Sequence, residues 1–237
     1  MTRLVSNDKS KSSLSIVVPV FNEEALISDA VQQLVETASE WVDDAEILLV
    51  NDGSHDNSPK IIDDLAEKFD MVRALHQSPN KGFGAAVRKG YEYATKDLVT
   101  YCPADHHFSD KEFDIYLTLI NHADIVLGYR RERRSEQTLY AWMRSRYYHL
   151  LLVWFFKLDL FDVNWIHMYH RDQLPHFLGQ SDGPFFLAEN LILAQRLKKR
   201  ILGVDVEYKE RELGVATGAQ IKTVYRTLRD FFVFFFK

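Results

Sequence analysis

Three short polar clusters in this chain have the residue types and spacing to do chemistry. Asn22-Glu23-Glu24 and Asn51-Asp52 set amides beside carboxylates, and Asp105-His106-His107 sets an imidazole two residues after a carboxylate. Carboxylates accept hydrogen bonds from N–H and O–H groups, whereas an amide both donates and accepts. A carboxylate and an imidazole two residues apart in extended chain face the same side. Asp105 and His107 thereby offer donors for a divalent cation, oxygen favouring Mg²⁺ or Mn²⁺ and imidazole tilting the choice to Mn²⁺. The same pattern also suits an Asp turn with two surface histidines, and on this segment alone, with a single carboxylate, that reading is the favoured one.

Each cluster follows an apolar run. Residues 15–20, 47–50 and 98–102 are rich in β-branched side chains and show no polar alternation, the last run being stopped by Pro103. Such runs are strands buried on both faces, as in a parallel sheet. The first two lead into helix-like stretches at 25–36 and 58–68. The alternation continues with strands at 72–76, 125–128, 165–169 and 201–208, and helices at 82–94, 111–121, 144–157, 186–198 and 222–236. Residues 213–220 form a polar, glycine-bearing loop. This pattern predicts an α/β fold, a mostly parallel central sheet flanked by helices, with ligands at the carboxyl ends of the strands. With no internal repeat in 237 residues, one domain accounts for the chain.

Several function classes drop out. The net charge of −5 argues against a nucleic-acid partner. Cys102 is the sole cysteine, so there is no internal disulfide and no cysteine metal cage, which fits a cytoplasmic setting. Residues 1–13 are a polar, disordered lead rather than a secretory signal. No run reaches the roughly 18 to 20 apolar residues that span a bilayer. Asn80-Lys81-Gly82-Phe83-Gly84 lacks the Lys-Ser/Thr end of a nucleotide triphosphate loop, and no G-x-G-x-x-G follows the first strand. Its glycines are expected to let the backbone pass close to a ligand or a neighbouring strand. Residues 149–156 are expected to be a buried core helix. The aromatic tail, 230–237, is open to two outcomes, packing back onto the domain or resting on a membrane surface.

The order of these motifs resembles the inverting family-two glycosyltransferases, which have a single GT-A (Rossmann-like) nucleotide-sugar domain. The resemblance runs from Leu14 to about Phe232 and rests on Val18-Pro19-Val20-Phe21-Asn22-Glu23-Glu24, Val50-Asn51-Asp52-Gly53-Ser54-His55-Asp56, Asn80-Lys81-Gly82-Phe83-Gly84, Pro103-Ala104-Asp105 and Asp124-Ile125-Val126-Leu127-Gly128-Tyr129-Arg130. Within the family it is most similar to the dolichyl- or polyprenyl-phosphate sugar transferases, such as dolichol-phosphate mannosyltransferase. They share a later run like Asp162-Val163-Asn164-Trp165 and His170-Arg171.

The resemblance implies that Pro19, Phe21, Glu23 and the Asn51-Asp52 turn hold the base and ribose, with Asn22, Lys81, Gly82, Ala104 and Arg134 in the same donor site. The Asp105 segment corresponds to the D-x-D motif that carries a divalent cation on the diphosphate. Here Pro103 stands in place of the first Asp, leaving Asp105 as metal ligand and His107 as a second one. Arg130 and Arg134 are the arginines of the 130–134 stretch expected to meet phosphate, whose geometry a guanidinium matches. Glu189 falls where the family often has an acidic residue near the acceptor, a general base if the acceptor is a hydroxyl. A phosphate acceptor needs no base, and a buried glutamate near a helix N-terminus is the other reading. The implied reaction moves a sugar from a UDP- or GDP-linked donor to a polyprenyl phosphate at the cytosolic membrane face, with inversion. Residues 14–220 would be the catalytic domain, and the helix at 221–237, with Lys222, Arg226 and Arg229, would rest on the bilayer. Transfer to a sugar hydroxyl of a glycan, or non-catalytic binding of a nucleotide sugar, are the alternatives.

Overall fold

Apolar runs without alternation are satisfied only where both faces of a sheet are covered. The computed structural model describes residues 12–104, 106, 108–130, 139–160, 162–206 and 221–237, and it buries the runs in this way. The chain order is β1 (Leu14–Val20), α1 (Ile27–Trp41), β2 (Ala45–Asp52), α2 (Ser58–Lys68), β3 (Val72–Gln77), α3 (Phe83–Tyr93) and β4 (Leu98–Tyr101). It continues with α4 (Asp110–Ile120), β5 (Ile125–Arg130), α5 (Leu139–Phe156), β6 (His167–His170), α6 (Phe185–Arg196), β7 (Ile201–Val206) and α7 (Ile221–Phe235). The lead at 1–11 and the loop at 213–220 lie outside the described residues.

The strands form one seven-stranded sheet in the order β3-β2-β1-β4-β6-β5-β7. β1 is parallel to β2 and β4, β2 to β3, and β5 to β7. β6 is antiparallel to both neighbours. An inverted strand between β4 and β5 leaves those two pointing the same way. The carboxyl ends of β1, β2, β4 and β5 therefore share one edge, and β6 begins at that edge.

Two elements depart from expectation. The short strand starts at His167, not Trp165, because the chain from Asp162 to Trp165 is still turning when it reaches the sheet edge. α5 is not buried all round: Leu151, Leu152 and Phe156 are in the core, but Leu150 and Trp154 are exposed, Trp154 by 77%. Helical period sets 150 and 154 on the face opposite 152 and 156.

The aromatic tail packs by one face. Phe231 is wholly buried, its ring centroid 5.4 Å from Phe155, 5.0 Å from Phe156 and 5.8 Å from Phe185. Edge-to-face clusters of this kind combine a large buried area with favourable ring geometry. Tyr225, Phe232, Val233 and Phe236 face outward. Phe231→Ala is expected to lower the unfolding free energy by about 3–5 kcal/mol, the range for emptying a buried aromatic site. Phe236→Ala should leave it within about 0.5 kcal/mol. Urea unfolding of both variants checks this; equal effects would mean that α7 is not seated through Phe231.

Candidate active site

At the shared edge, the turn after β1 and the turn after β2 satisfy each other's polar groups. Asn22 takes the left-handed conformation, φ 56°, which asparagine tolerates better than most residues. Its backbone N–H donates to Ser54 Oγ at 3.0 Å, and its Oδ1 accepts from His55 N at 2.8 Å. Glu23 N donates to Ser58 Oγ at 2.9 Å and Glu24 N to Asp56 Oδ2 at 3.2 Å. In return Glu24 Oε2 accepts from both the backbone and the side-chain nitrogen of Asn57. Burial pushes the Asp56 carboxyl up, but hydrogen bonds from Ser58 and from Glu24 N outweigh it and hold the group below its ordinary value. Asn51 Oδ1 closes the second turn on Ser54 N at 2.9 Å. Beneath these turns Pro19 lies in register with Val50. Phe21, 39% exposed, meets His55 edge-on at 6.3 Å, an open aromatic pair at the tip.

Asp52 ties the third turn to the first two. Its carboxylate, 4% exposed, accepts from Lys81 N and Gln77 Nε2 through Oδ1, at 2.8 and 2.6 Å, and from Gly82 N through Oδ2 at 2.8 Å. The N–H groups of this turn, which look like a phosphate cradle in sequence, are thus aimed at a carboxylate of the protein itself. The glycines admit neither a ligand nor a strand but the loop before α6. A methyl on Gly82 (φ +112°) would sit 2.5 Å from the Asp182 carbonyl oxygen, and one on Gly84 2.4 Å from that of Ser181. Beside Asp52, Asn51 Nδ2 lies 3.1 Å from His76 Nδ1, and His76 Nε2 lies 3.0 Å from Asp63 Oδ1. The amide can only donate at that contact, so Nδ1 accepts and the ring proton sits on Nε2.

On the other side of β4, Arg130 is held bidentate by Asp162. Its Nε donates to Asp162 Oδ2 at 2.6 Å, its Nη2 to Oδ1, and its backbone N–H also to Oδ2 at 3.1 Å. The guanidinium carbon stands 4.3 Å over the Trp165 ring, and the side chain is 8% exposed. Trp165 also meets the His106 ring edge-to-face at 4.8 Å. His106 Nε2 in turn pairs with the buried Glu112 at 3.0 Å. The Asp162–Trp165 turn is pinned from below by His167, whose Nε2 donates to Val163 O at 3.1 Å while its Nδ1 accepts from Tyr169 OH at 2.6 Å. Burial pulls the His167 pKa down to about 3, so the ring is neutral.

Ala104, buried, stands in the turn that follows β4, where Cys102 N still donates to Val17 O at 2.8 Å and His106 N to Pro103 O at 3.0 Å. Asp105, His107 and Arg134 lie outside the described residues. Among the described residues no three His, Cys, Asp or Glu side chains come together as a metal site. Glu189 does not open onto the edge. Its two oxygens accept from Gln180 N at 3.0 Å and Ser181 N at 2.8 Å, and Asn190 Oδ1 takes Gly179 N at 2.6 Å. It clamps the loop that Arg88 also grips, through Asp182 Oδ1 at 2.7 Å and Ser181 O at 3.3 Å.

Sequence reasoning passed over His55, Ser54, Ser58, Asp162 and Trp165 as working parts. His55 and the serines sit inside the second motif, and a polar run opposite another polar run is the signal that would have marked them. Asp162 and Trp165 carry no such local signal, because they meet Arg130 only through the inverted strand.

The unfolded chain takes up a proton at His167 near pH 6.5, while the folded chain refuses it down to about pH 3. This group's contribution is therefore flat above about 6.5 and turns against folding as the pH falls toward 3. His167→Gln, which does not titrate, is expected to show a shallower loss of urea midpoint between neutral pH and mild acid than the parent. Parallel curves would show that His167 is not the titrating group.

The sequence model of glycosyl transferase family 2 matches residues 15–176. The chain is 25% identical to an undecaprenyl-phosphate 4-deoxy-4-formamido-L-arabinose transferase of Proteus mirabilis, over 90% of this chain and 65% of that protein. It is 35% identical to a dolichyl-phosphate beta-glucosyltransferase of Trichomonas vaginalis, over 49% of this chain and 38% of that one. It thus spans less than two thirds of these relatives' own length. Among solved structures it resembles glucosyl-3-phosphoglycerate synthase from Mycobacterium tuberculosis, with a TM-score of 0.72 and 16% identity over 94% of this chain and 79% of the other. That likeness is one of fold, a GT-A domain. The family match alone covers more than half the chain, and the protein is a member of glycosyl transferase family 2.

Proposed function

We propose that this protein is an inverting, nucleotide-sugar-dependent glycosyltransferase whose acceptor is a polyprenyl phosphate. The observation that carries the acceptor choice is the state of Glu189. Both its oxygens are taken by backbone N–H groups, so it is poorly placed to draw a proton from a sugar hydroxyl. A phosphate monoester arrives already ionised and needs no base. The relatives named above act, by their names, on undecaprenyl and dolichyl phosphates, which agrees.

In this reading the donor lies along the carboxyl edge, its base against Phe21 and His55, its ribose beside Glu23 and Asn51, and its diphosphate toward the turn after β4. An acceptor phosphate oxygen attacks the anomeric carbon as the bond from that carbon to the diphosphate breaks. The electron pair leaves on the nucleoside diphosphate, and the configuration at carbon inverts. Asp105 and His107 would offer a divalent cation an oxygen and a nitrogen donor two residues apart in sequence, a set that suits Mn²⁺ or Mg²⁺. Solved structures of the same fold were obtained with Mn²⁺ or Mg²⁺ and UDP. When bound, the cation offsets negative charge on the diphosphate. Arg130 is already paired with Asp162, so in this reading the arginine assigned to the phosphate is Arg134.

The acceptor places the enzyme at a membrane, on its cytosolic face. Among the described residues no helix is long and apolar enough to cross one. A peripheral seat is available instead. Met143, Tyr147, Leu150 and Trp154 are exposed at helical spacing along α5, and Phe232, Val233 and Phe236 are exposed on α7. Exposed aromatics on a surface helix suit the headgroup boundary.

The test is transfer of labelled sugar from UDP and GDP donors to a short polyprenyl phosphate in detergent. Asp105→Ala should abolish turnover while the fold survives. Glu189→Gln should keep turnover within about tenfold, whereas loss of a true general base costs about 10²–10⁴. A collapse of that size in a folded Glu189→Gln protein would move the acceptor to a hydroxyl. Absence of transfer to any acceptor would favour a binding protein.

A further inference from the structure

The turn that carries Lys81 and Gly82 is gripped on both sides. Its N–H groups go to Asp52 on β2. Its Lys81 carbonyl accepts from Nη2 of Arg226, a residue of the C-terminal helix 145 positions away. The path of that side chain is built into the backbone around it. A methyl on Gly183 would lie 3.3 Å from Arg226 Cγ, and a methyl on Gly82 2.6 Å from its guanidinium. The stem thus lies over Gly183 and the head covers Gly82, whose positive φ and close Asp182 carbonyl leave room for glycine alone. Arg226 is not what seats α7, because Phe231 does that within the aromatic cluster. Its hydrogen bond therefore acts on the turn more than on the helix.

We propose that Arg226 is a positioning residue for the nucleotide-sugar site, and that α7 is thereby a structural part of that site. The assignment rests on the reading of Lys81 and the Asn51-Asp52 turn as parts of the donor site. Asp52 fixes the turn's two amides, and Arg226 fixes the carbonyl between them, so the peptide plane at Lys81 has one orientation. Without the guanidinium that plane can rotate, and the Lys81 side chain and the Asp52 carboxylate lose their fixed placement beside the donor.

Arg226→Met keeps the apolar stem over Gly183 and removes every donor, and Arg226→Lys restores one. Amide hydrogen exchange in the unliganded protein reads the turn directly. The Lys81 and Gly82 amides should exchange about tenfold faster in the Met variant, the scale set by a lost hydrogen bond to a charged group. The amides of Leu228 to Phe231 should hold the parent rate, and the Lys variant should return the turn toward it. In the transfer assay the donor KM should rise about tenfold with kcat and the acceptor KM unchanged, as loss of ground-state donor binding requires. Parent-like exchange and parent-like donor KM in the Met variant would overturn the proposal. So would faster exchange throughout α7, which would make Arg226 a helix anchor instead. A parent protein that moves no sugar would overturn the glycosyltransferase reading itself, and this assignment with it, whatever the amides show.

Discussion

The carboxylate of Asp52 is the interaction on which the rest of this edge depends. A strand buried on both faces delivers its last residues to a place where water is scarce and every polar group needs a partner. Asp52 is nearly sealed from solvent, yet it accepts from Gln77, Lys81 and Gly82. Those bonds shape the turn before α3, and the turn's glycines let the Ser181–Gly183 loop lie directly against it. Glu189 and Arg88 then hold that loop. One buried carboxylate thus links the first strand pair to the far helices without any covalent tie.

A second fixed point lies across β4. Because β6 runs backward, the turn that precedes it lands beside the end of β5, and Asp162 can clasp Arg130. Trp165 touches both that guanidinium and the His106 ring, so the end of β5 and the chain after β4 meet at one aromatic side chain. An ion pair with little solvent access is held chiefly by its geometry and its added hydrogen bonds. Here Arg130 has three bonds to one carboxylate and a ring face beneath it. The two fixed points lie on either side of β1 and β4 at the carboxyl edge, with Phe21 and His55 exposed at its tip.

Much of this was legible in the sequence, for identifiable reasons. Ile16 to Val20, Pro19 apart, and Ile47 to Val50 are branched and apolar without polar alternation, as burial on both faces of a sheet requires. That implied the parallel order, and with it the edge where Asn22, Asn51 and Arg130 would gather. The direction of β6 was not legible, since a four-residue strand has no local mark of its orientation. For the same reason the partner of Arg130 stayed hidden. The inward roles of Asp52 and Glu189 were hidden too. A carboxylate that binds backbone N–H groups and one that binds a ligand look identical until the loops they serve are placed. Asp105, His107 and Arg134 lie outside the described residues, so their part rests on the motif that contains them.

The central claim is that the carboxyl edge of the sheet holds a nucleotide sugar, with a divalent cation at the turn after β4. The measurement that tests it most directly is a thermal-shift screen of UDP- and GDP-sugars, each with Mn²⁺ and with EDTA. A ligand that binds only the folded state raises the melting temperature by mass action. The account predicts a rise with sugars of one nucleotide, present with Mn²⁺ and lost or much reduced with EDTA. An unchanged melting temperature with every donor, in the presence of metal, would contradict it.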